Sequence, residues 1–567
     1  MSRAPSAMAA ALAVFAVCAA GPGLRAQSPP SARAGDRVVS GVVMSGANGQ
    51  PLQGADLTLR DTTDFQPAAQ TTSDAEGRFS FQSLADGRYE LTASHRGFVT
   101  SAYEEHNGDS TAIVTGKGLV TTGLVLTLAP QAVIYGTVSE DSGDPVPHAL
   151  VSLYRLNGGG GTGRMVRAGL ANADEMGRYE LDSLAPGTYY LCAAGTPWYA
   201  THRRSASVEQ IGPPDQQPPS PLDVAYPTTC YPDVTDSAGA EPIPVQAGDR
   251  VPVNLMLHAV PAVHIFIHVP SLNARGGFVA PQLNQEVFGI STPANGTYNF
   301  IRDPNLANQD SPATVEIEGL APGQYQVQLG DASRSGQSSR FASVDASASD
   351  VSLDASSMPA MAAVSGKVAM AGGGSLPAAG LSISLLPEQD IQSGVAPGGF
   401  APVAPDGSFQ IPGVRPGDYE VRLNAAGTTL AVTQLAATGA AAGGRILHVG
   451  SAPISIAALA APANASVYGF AQRDGKPAPG VFVLLVPISP NAGREAWQPN
   501  QTDSDGSFLF LHVMPGAYRL VAIEQGWTLA WARPEVIGRY LARGAEVMVG
   551  LNSKKIDLKV PVVVQAK

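Results

Sequence analysis

His264 and His268 stand four residues apart in the run Val263-His264-Ile265-Phe266-Ile267-His268, the pair whose type and spacing first suggest metal chemistry. On a strand both face the same way, but four strand residues separate them by roughly 13 Å. That is too far to share one zinc held at ~2 Å by each ligand. A zinc peptidase would need His-x-x-Glu and a distant His, and none of the nine histidines has Glu three residues on. The two histidines read as edge-strand residues. Asp503-Ser504-Asp505-Gly506 has the start of a calcium loop but lacks its remaining acidic ligands and distal Glu, so it reads as a turn. Gly158 to Gly161 is a glycine run with no helix after it to hold a phosphate. Ser-nucleophile elbows, P-loops and dinucleotide fingerprints are missing from the strand–helix context they need. No catalytic residue, metal ligand or cofactor site is expected.

Two other residue sets carry chemistry. Cys192 and Cys230 lie in one stretch of chain and are expected to form a disulfide if the protein reaches an oxidising compartment. Closing that loop would stabilise the fold by about 3–4 kcal/mol in the chain-entropy model. The aromatics Phe98 and Tyr103, Trp198 and Tyr199, and Trp527 and Trp531 all follow a Tyr-containing segment in similar places. Exposed, they could stack on sugar rings or form a partner patch. Buried, they would cap the ends of the fold. Capping is the favoured reading and ligand contact the alternative.

These residues are positioned by a repeat. Asp74-Ala75-Glu76-Gly77-Arg78-Phe79 leads to Asp86-Gly87-Arg88-Tyr89, and Glu175-Met176-Gly177-Arg178-Tyr179 leads to Pro186-Gly187-Thr188-Tyr189. Asp406-Gly407-Ser408-Phe409 leads to Pro416-Gly417-Asp418-Tyr419, and Asp505-Gly506-Ser507-Phe508 leads to Pro515-Gly516-Ala517-Tyr518. Apolar positions alternate after each first glycine, as in Phe79, Phe81, Leu84, Tyr89 and Leu91. A period of two puts them on one sheet face. The glycines are expected to supply turns with φ > 0, and each Tyr to bury its ring and send its hydroxyl to the rim. Openings such as Val39-Ser40-Gly41 and Val364-Ser365-Gly366 precede each copy. A degenerate copy keeps Pro322-Gly323-Gln324-Tyr325 and has an insertion near Asp303 to Ala313.

Composition agrees. Charged residues are only 14% and hydrophobic ones 44% of the 567 residues, too apolar for a disordered chain. The 62 Gly and 46 Pro favour short strands and tight turns over long helices. A net charge of -12 without a Lys/Arg cluster speaks against a nucleic-acid partner. Arg3, the apolar run Met8 to Ala20 and Leu24-Arg25-Ala26 read as a signal peptide. Cys18 is a weak lipobox candidate because bulky Val17 precedes it. No later segment reads as a membrane span.

The pattern G-x-V, P-x-x-G-A-x-V-x-L, D-x-x-G-x-F-x-F-x-x-L-x-x-G-x-Y-x-L, carried by Gly41 to Leu91 and their equivalents, resembles the carboxypeptidase regulatory-like family. The resemblance implies a transthyretin-like, carbohydrate-binding-like sandwich that accompanies other proteins as an accessory and is uninformative about chemistry. The expected fold is all-β, a tandem array of about five seven-stranded antiparallel sandwiches. The expected division is signal peptide 1–26, linker 27–36, and sandwiches 37–130, 131–261, 262–361 (degenerate), 362–462 and 463–567. The expected function is that of an exported, non-enzymatic structural and interaction protein of the bacterial cell envelope, in the periplasm, on the outer-membrane surface or outside the cell. Its partner would be a protein or a glycan. Carbohydrate binding through exposed aromatic loops is the alternative.

Overall fold

The alternating residues form strands with one apolar face. Arg78–Leu84 buries Phe79, Phe81 and Leu84 and exposes the residues between them. Arg178–Leu184 and Ser408–Val414 repeat the pattern with Tyr179, Leu181 and Leu184, and with Phe409, Ile411 and Val414. The computed structural model describes residues 35–567 except 64, 158–162, 203–219, 270–277, 303–312, 332–339, 378–379, 388–397 and 490–491. The signal-like N-terminus with Cys18, the run Gly158 to Gly161 and nearly all of the Asp303 to Ala313 insertion lie outside the described residues.

Among the described residues five main apolar cores form, each from one stretch of chain: 39–128, 132–257, 263–358, 362–460 and 465–562. The first four cores lie between two sheets each, whereas in the fifth Val562–Gln565 pairs with both Ala465–Arg473 and Gly516–Ile523 and joins the strands into one nine-stranded sheet. We number these sandwich units one to five in chain order. In sandwich three, Thr297–Arg302, Ala313–Leu320, Val263–Val269 and Val351–Asp354 form one sheet. Ile290–Pro293, Phe278–Val287, Gln324–Asp331 and Arg340–Asp345 form the facing one. Most neighbours are antiparallel. The opening strand, however, runs parallel to a closing strand in every sandwich: Gly41 opposite Leu124, Arg250 opposite Val133, Ile265 opposite Val351, Val364 opposite Ile454, and Ser466 opposite Lys555. The intervening strands supply the long crossover that parallel pairing requires. They also explain the opening glycine, since a Cβ on Gly41 or Gly366 would sit about 2 Å from the carbonyl oxygen of Leu124 or Ile456.

The three-residue step from Phe81 to Leu84 marks a β-bulge present in all five copies. Gln82 and Ser83 face the single residue Val38, and Glu318 and Gly319 face His264 in the same place. The second bulge residue has positive φ each time: Ser83 58°, Ser183 58°, Gly319 74°, Gly413 66° and His512 56°. The tyrosines behave as expected. Tyr89, Tyr189, Tyr325, Tyr419 and Tyr518 bury their rings, and each hydroxyl donates to the carbonyl oxygen four residues earlier. Positive φ is found at the first turn glycines, Gly77, Gly177, Gly407 and Gly506, but not at Gly87 or Gly187. At Gly87 a Cβ would instead crowd the Tyr89 ring at 3.2–3.3 Å.

Two expectations need correction. His264 and His268 are not edge residues, because their strand lies between Ala313–Leu320 and Val351–Asp354. Sandwich five also contains the helix Pro534–Leu541. Pro534 opens it without losing a needed N–H, and Ile537 and Tyr540 bury against Phe482, Leu484, Val521 and Ile523. The unbroken run Phe482 to Val486 is therefore buried on both faces.

Candidate functional site

The face of sandwich three turned away from its core carries an ionisable cluster. Glu316 and Glu318 are two residues apart on Ala313–Leu320 and so share a sheet face. The bulge aims His264 at them, the re-aiming that bulges produce beside functional sites. In the other copies the residues in these places are Ser80 with Gln82, Glu180 with Asp182, Gln410 with Pro412, and Leu509 with Leu511. The residue opposite the bulge in those copies is Val38, Val133, Ala363 or Ser466, where sandwich three has His264.

A segment of sandwich two covers the cluster. Asp223 is held by backbone bonds from its N–H to Ser220 O and from Ala262 N–H to its own carbonyl oxygen, each 2.9 Å. It lies just before Val224–Ala225, which pairs with Val260–Pro261. Its carboxylate takes His264 Nε2 at 2.9 Å and His202 Nδ1 at 3.0 Å. His264 Nδ1 meets Glu316 Oε1 at 2.8 Å. The side chains of His264, Asp223 and Glu316 are 2%, 3% and 1% exposed, and Glu318 is also buried. Glu316 Oε2 and Glu318 Oε2 have no hydrogen-bond partner. Burial, and then the negative Glu316, raise the Glu318 carboxyl above the usual range. Burial opposes a charge on His264, but its bonds to Glu316 and Asp223 outweigh that and raise its pKa. Ligand atoms of His264, Glu316 and Glu318 lie within 4.8 Å of one another, so these three could hold a metal ion. His268, on the same strand, is exposed and bonded to Thr314 and Ser352, away from the cluster. The neighbours of His264 come from across the bulge and from sandwich two. The only sequence signal was the alternating pair Glu316 and Glu318 beside apolar residues.

The disulfide Cys192–Cys230 is formed and joins adjacent antiparallel strands. It packs with Tyr154, Val287 and Ile290 where sandwiches two and three meet.

The aromatics do not share one fate. Phe98 and Tyr103 pack partly buried against core one. Trp527 is buried and Trp531 half-buried under the helix of sandwich five, both against Phe482. Trp198 is 76% exposed and edge-on to half-buried Tyr199. Trp527 also carries a contact between the ends of the chain. His106 of sandwich one stacks on it, and Asn107 Nδ2 donates to its carbonyl oxygen at 3.4 Å. Beside it Arg88 pairs with Asp503, and Ser504 exchanges bonds of 2.9 Å with Val114 N–H and Ala112 O. The turn Asp503 to Gly506 is thus a docking element between sandwiches one and five.

The architecture and these seams define an all-β protein of packed sandwich units. Residues 38–116 match the carboxypeptidase regulatory-like domain model, and that domain is present here. No curated protein matches the chain. Among solved structures, the chain resembles the Bacillus anthracis TIE protein at 12% identity over 56% of this chain, spanning half of that one, with a TM-score of 0.16. The shaft pilin SpaA from Lactobacillus rhamnosus GG is similar at 11% identity over 40% of this chain and 98% of its own, with a TM-score of 0.18. The minor pilin GBS52 of Streptococcus agalactiae is similar at 14% identity over 39% and 97%, with a TM-score of 0.19. At these scores the likenesses carry no argument about function. Among the described residues no helix is long and apolar enough to cross a membrane.

Proposed function

We propose that this chain is an exported, non-enzymatic structural and interaction protein of the bacterial cell envelope. Its units would be 37–130, 131–261, 262–361, 362–462 and 463–567, following a signal peptide at 1–26. The observation that carries the reading is the docking of sandwich one on sandwich five through His106, Trp527, Arg88 and Asp503. Side chains that free-standing beads would leave in water are here used to hold units in fixed relation, as a scaffold requires. Loops not used in these seams would then meet protein partners. The test is cross-linking and capture from envelope fractions of the source bacterium, with wild type beside an Arg88→Ala/Trp527→Ala variant. Specific envelope proteins retained by wild type and lost by the variant support the reading. Clear turnover in a hydrolase screen would overturn it.

The carbohydrate alternative rests on the exposed indole of Trp198, since exposed aromatic rings stack on sugars. Glycan-array binding lost in Trp198→Ala would favour it, and an array with no binding by wild type would remove it.

A further inference from the structure

We propose that His264, Glu316 and Glu318 form a binding site for a divalent transition-metal ion, zinc being the probe of choice, at the seam of sandwiches two and three. Three observations converge. The donor set is one imidazole and two carboxylates with ligand atoms within 4.8 Å of one another, a set that suits zinc and manganese and is too poor in oxygen for the 6–8 ligands of calcium. Glu316 Oε2 and Glu318 Oε2 are buried and unpartnered. Buried carboxylate oxygens are costly to leave so, and a cation is their natural partner. Asp223 takes His264 Nε2 at 2.9 Å, which is the carboxylate–histidine relation that orients a metal-bound imidazole and leaves the other nitrogen as ligand.

Two buried glutamates and Asp223 also outnumber the charge that His264 and His202 can supply, so a divalent ion brings the cluster nearer neutrality. In the metal-free arrangement both nitrogens of His264 face carboxylates, Nδ1 sharing a proton with Glu316 Oε1. On binding, the Nδ1 lone pair and one oxygen of each glutamate go to the ion, and the shared proton leaves to solvent. A second glutamate oxygen or a water fills the fourth position. No oxidation or bond cleavage is involved. The ion would fasten the sheet of sandwich three beneath the segment of sandwich two that carries Asp223 and His202, a role separate from envelope partners and from export.

The experiment uses tag-free full-length protein stripped with EDTA and dialysed. Zinc chloride is titrated by calorimetry, and metal content is read by mass spectrometry after gel filtration. The expected result is one zinc per chain at micromolar or lower Kd, with a rise in Tm. Glu318→Gln and Glu316→Gln keep the side-chain shape and should each weaken binding at least about 10-fold, and Asp223→Asn about 10- to 100-fold. Glu318→Gln should leave the metal-free protein at least as stable, because it removes an unpartnered buried charge. His268→Gln should change nothing. Absence of stoichiometric binding at micromolar zinc and manganese would overturn the proposal. So would binding undiminished in both glutamine variants, or binding lost with His268→Gln.

Discussion

The imidazole of His106 in sandwich one lies flat on the indole of Trp527 in sandwich five, with ring centroids 4.5 Å apart and 11° between the planes. The stack brings together segments from near the two ends of the described chain. Trp527 also meets Phe482 edge-on at 5.4 Å, so its truncation opens both the seam and the layer under the helix. Trp527→Ala should cost about 3–5 kcal/mol, and His106→Ala about 1 kcal/mol. Urea denaturation of both single variants and the double variant gives the coupling energy. A coupling indistinguishable from zero would show that the stack adds nothing. Small-angle scattering should show the particle expanding in Trp527→Ala if this seam holds sandwiches one and five together.

Reducing the disulfide should matter as much as losing a large core residue. Cys192 and Cys230 close a loop with a sequence separation of 38, which in the chain-entropy model stabilises by about 3–4 kcal/mol. Cys192→Ser/Cys230→Ser should lower the urea midpoint of the transition that includes sandwich two. The wild type, denatured without reductant, should show no reactive thiol from these positions.

How much of this was legible in the sequence depends on how local each signal was. The strand faces, the turns and the tyrosine hydrogen bonds follow from residues within one repeat, so period and turn chemistry predict them. Even the bulge was written in the step from Phe81 to Leu84. The parallel pairing of Gly41 with Leu124 was hidden because it joins the start and end of a unit. The helix Pro534–Leu541 was hidden because its apolar residues pack on an outer sheet face that the repeat leaves unspecified. The cluster at His264 draws on residues near 202, 223, 264 and 316, and no spacing rule connects them.

Alkaline pH should destabilise the fold through buried tyrosines. Burial pushes Tyr325 and Tyr518 up to about 12, against about 10 in an unfolded chain. A raised folded pKa means the stabilisation is complete below pH 10. Between about 10 and 12 the unfolded state ionises while the folded state holds its protons, so stability falls as pH rises. Tyrosinate absorbance should lag the free-tyrosine curve and appear with unfolding. Tyr518→Phe should lose about 1 kcal/mol at neutral pH, from its bond to Met514 O, but less of its remaining stability above pH 10. Titration of every tyrosine near pH 10 in folded protein would contradict this.

Gly319 offers a sharper test of the seam between sandwiches two and three, because two independent constraints meet there. It is the second bulge residue, with φ of 74°, and a Cβ placed on it would lie 2.6 Å from Nε2 of His202. The corresponding Ser83 and Ser183 adopt φ of 58° with side chains in place, so the bulge alone tolerates a Cβ at modest cost. The close approach of His202 is what singles out Gly319. Gly319→Ala should therefore cost about 1–3 kcal/mol, combining backbone strain with displacement of His202. His202→Ala/Gly319→Ala should recover the displacement part and leave about 1 kcal/mol of strain. Ser83→Ala keeps the same backbone and should change stability by less than about 0.5 kcal/mol. A loss in Gly319→Ala that His202→Ala does not relieve would place the whole cost in the bulge and none in the packing of sandwich two against sandwich three. A loss at 319 that His202→Ala relieves would locate it at that contact.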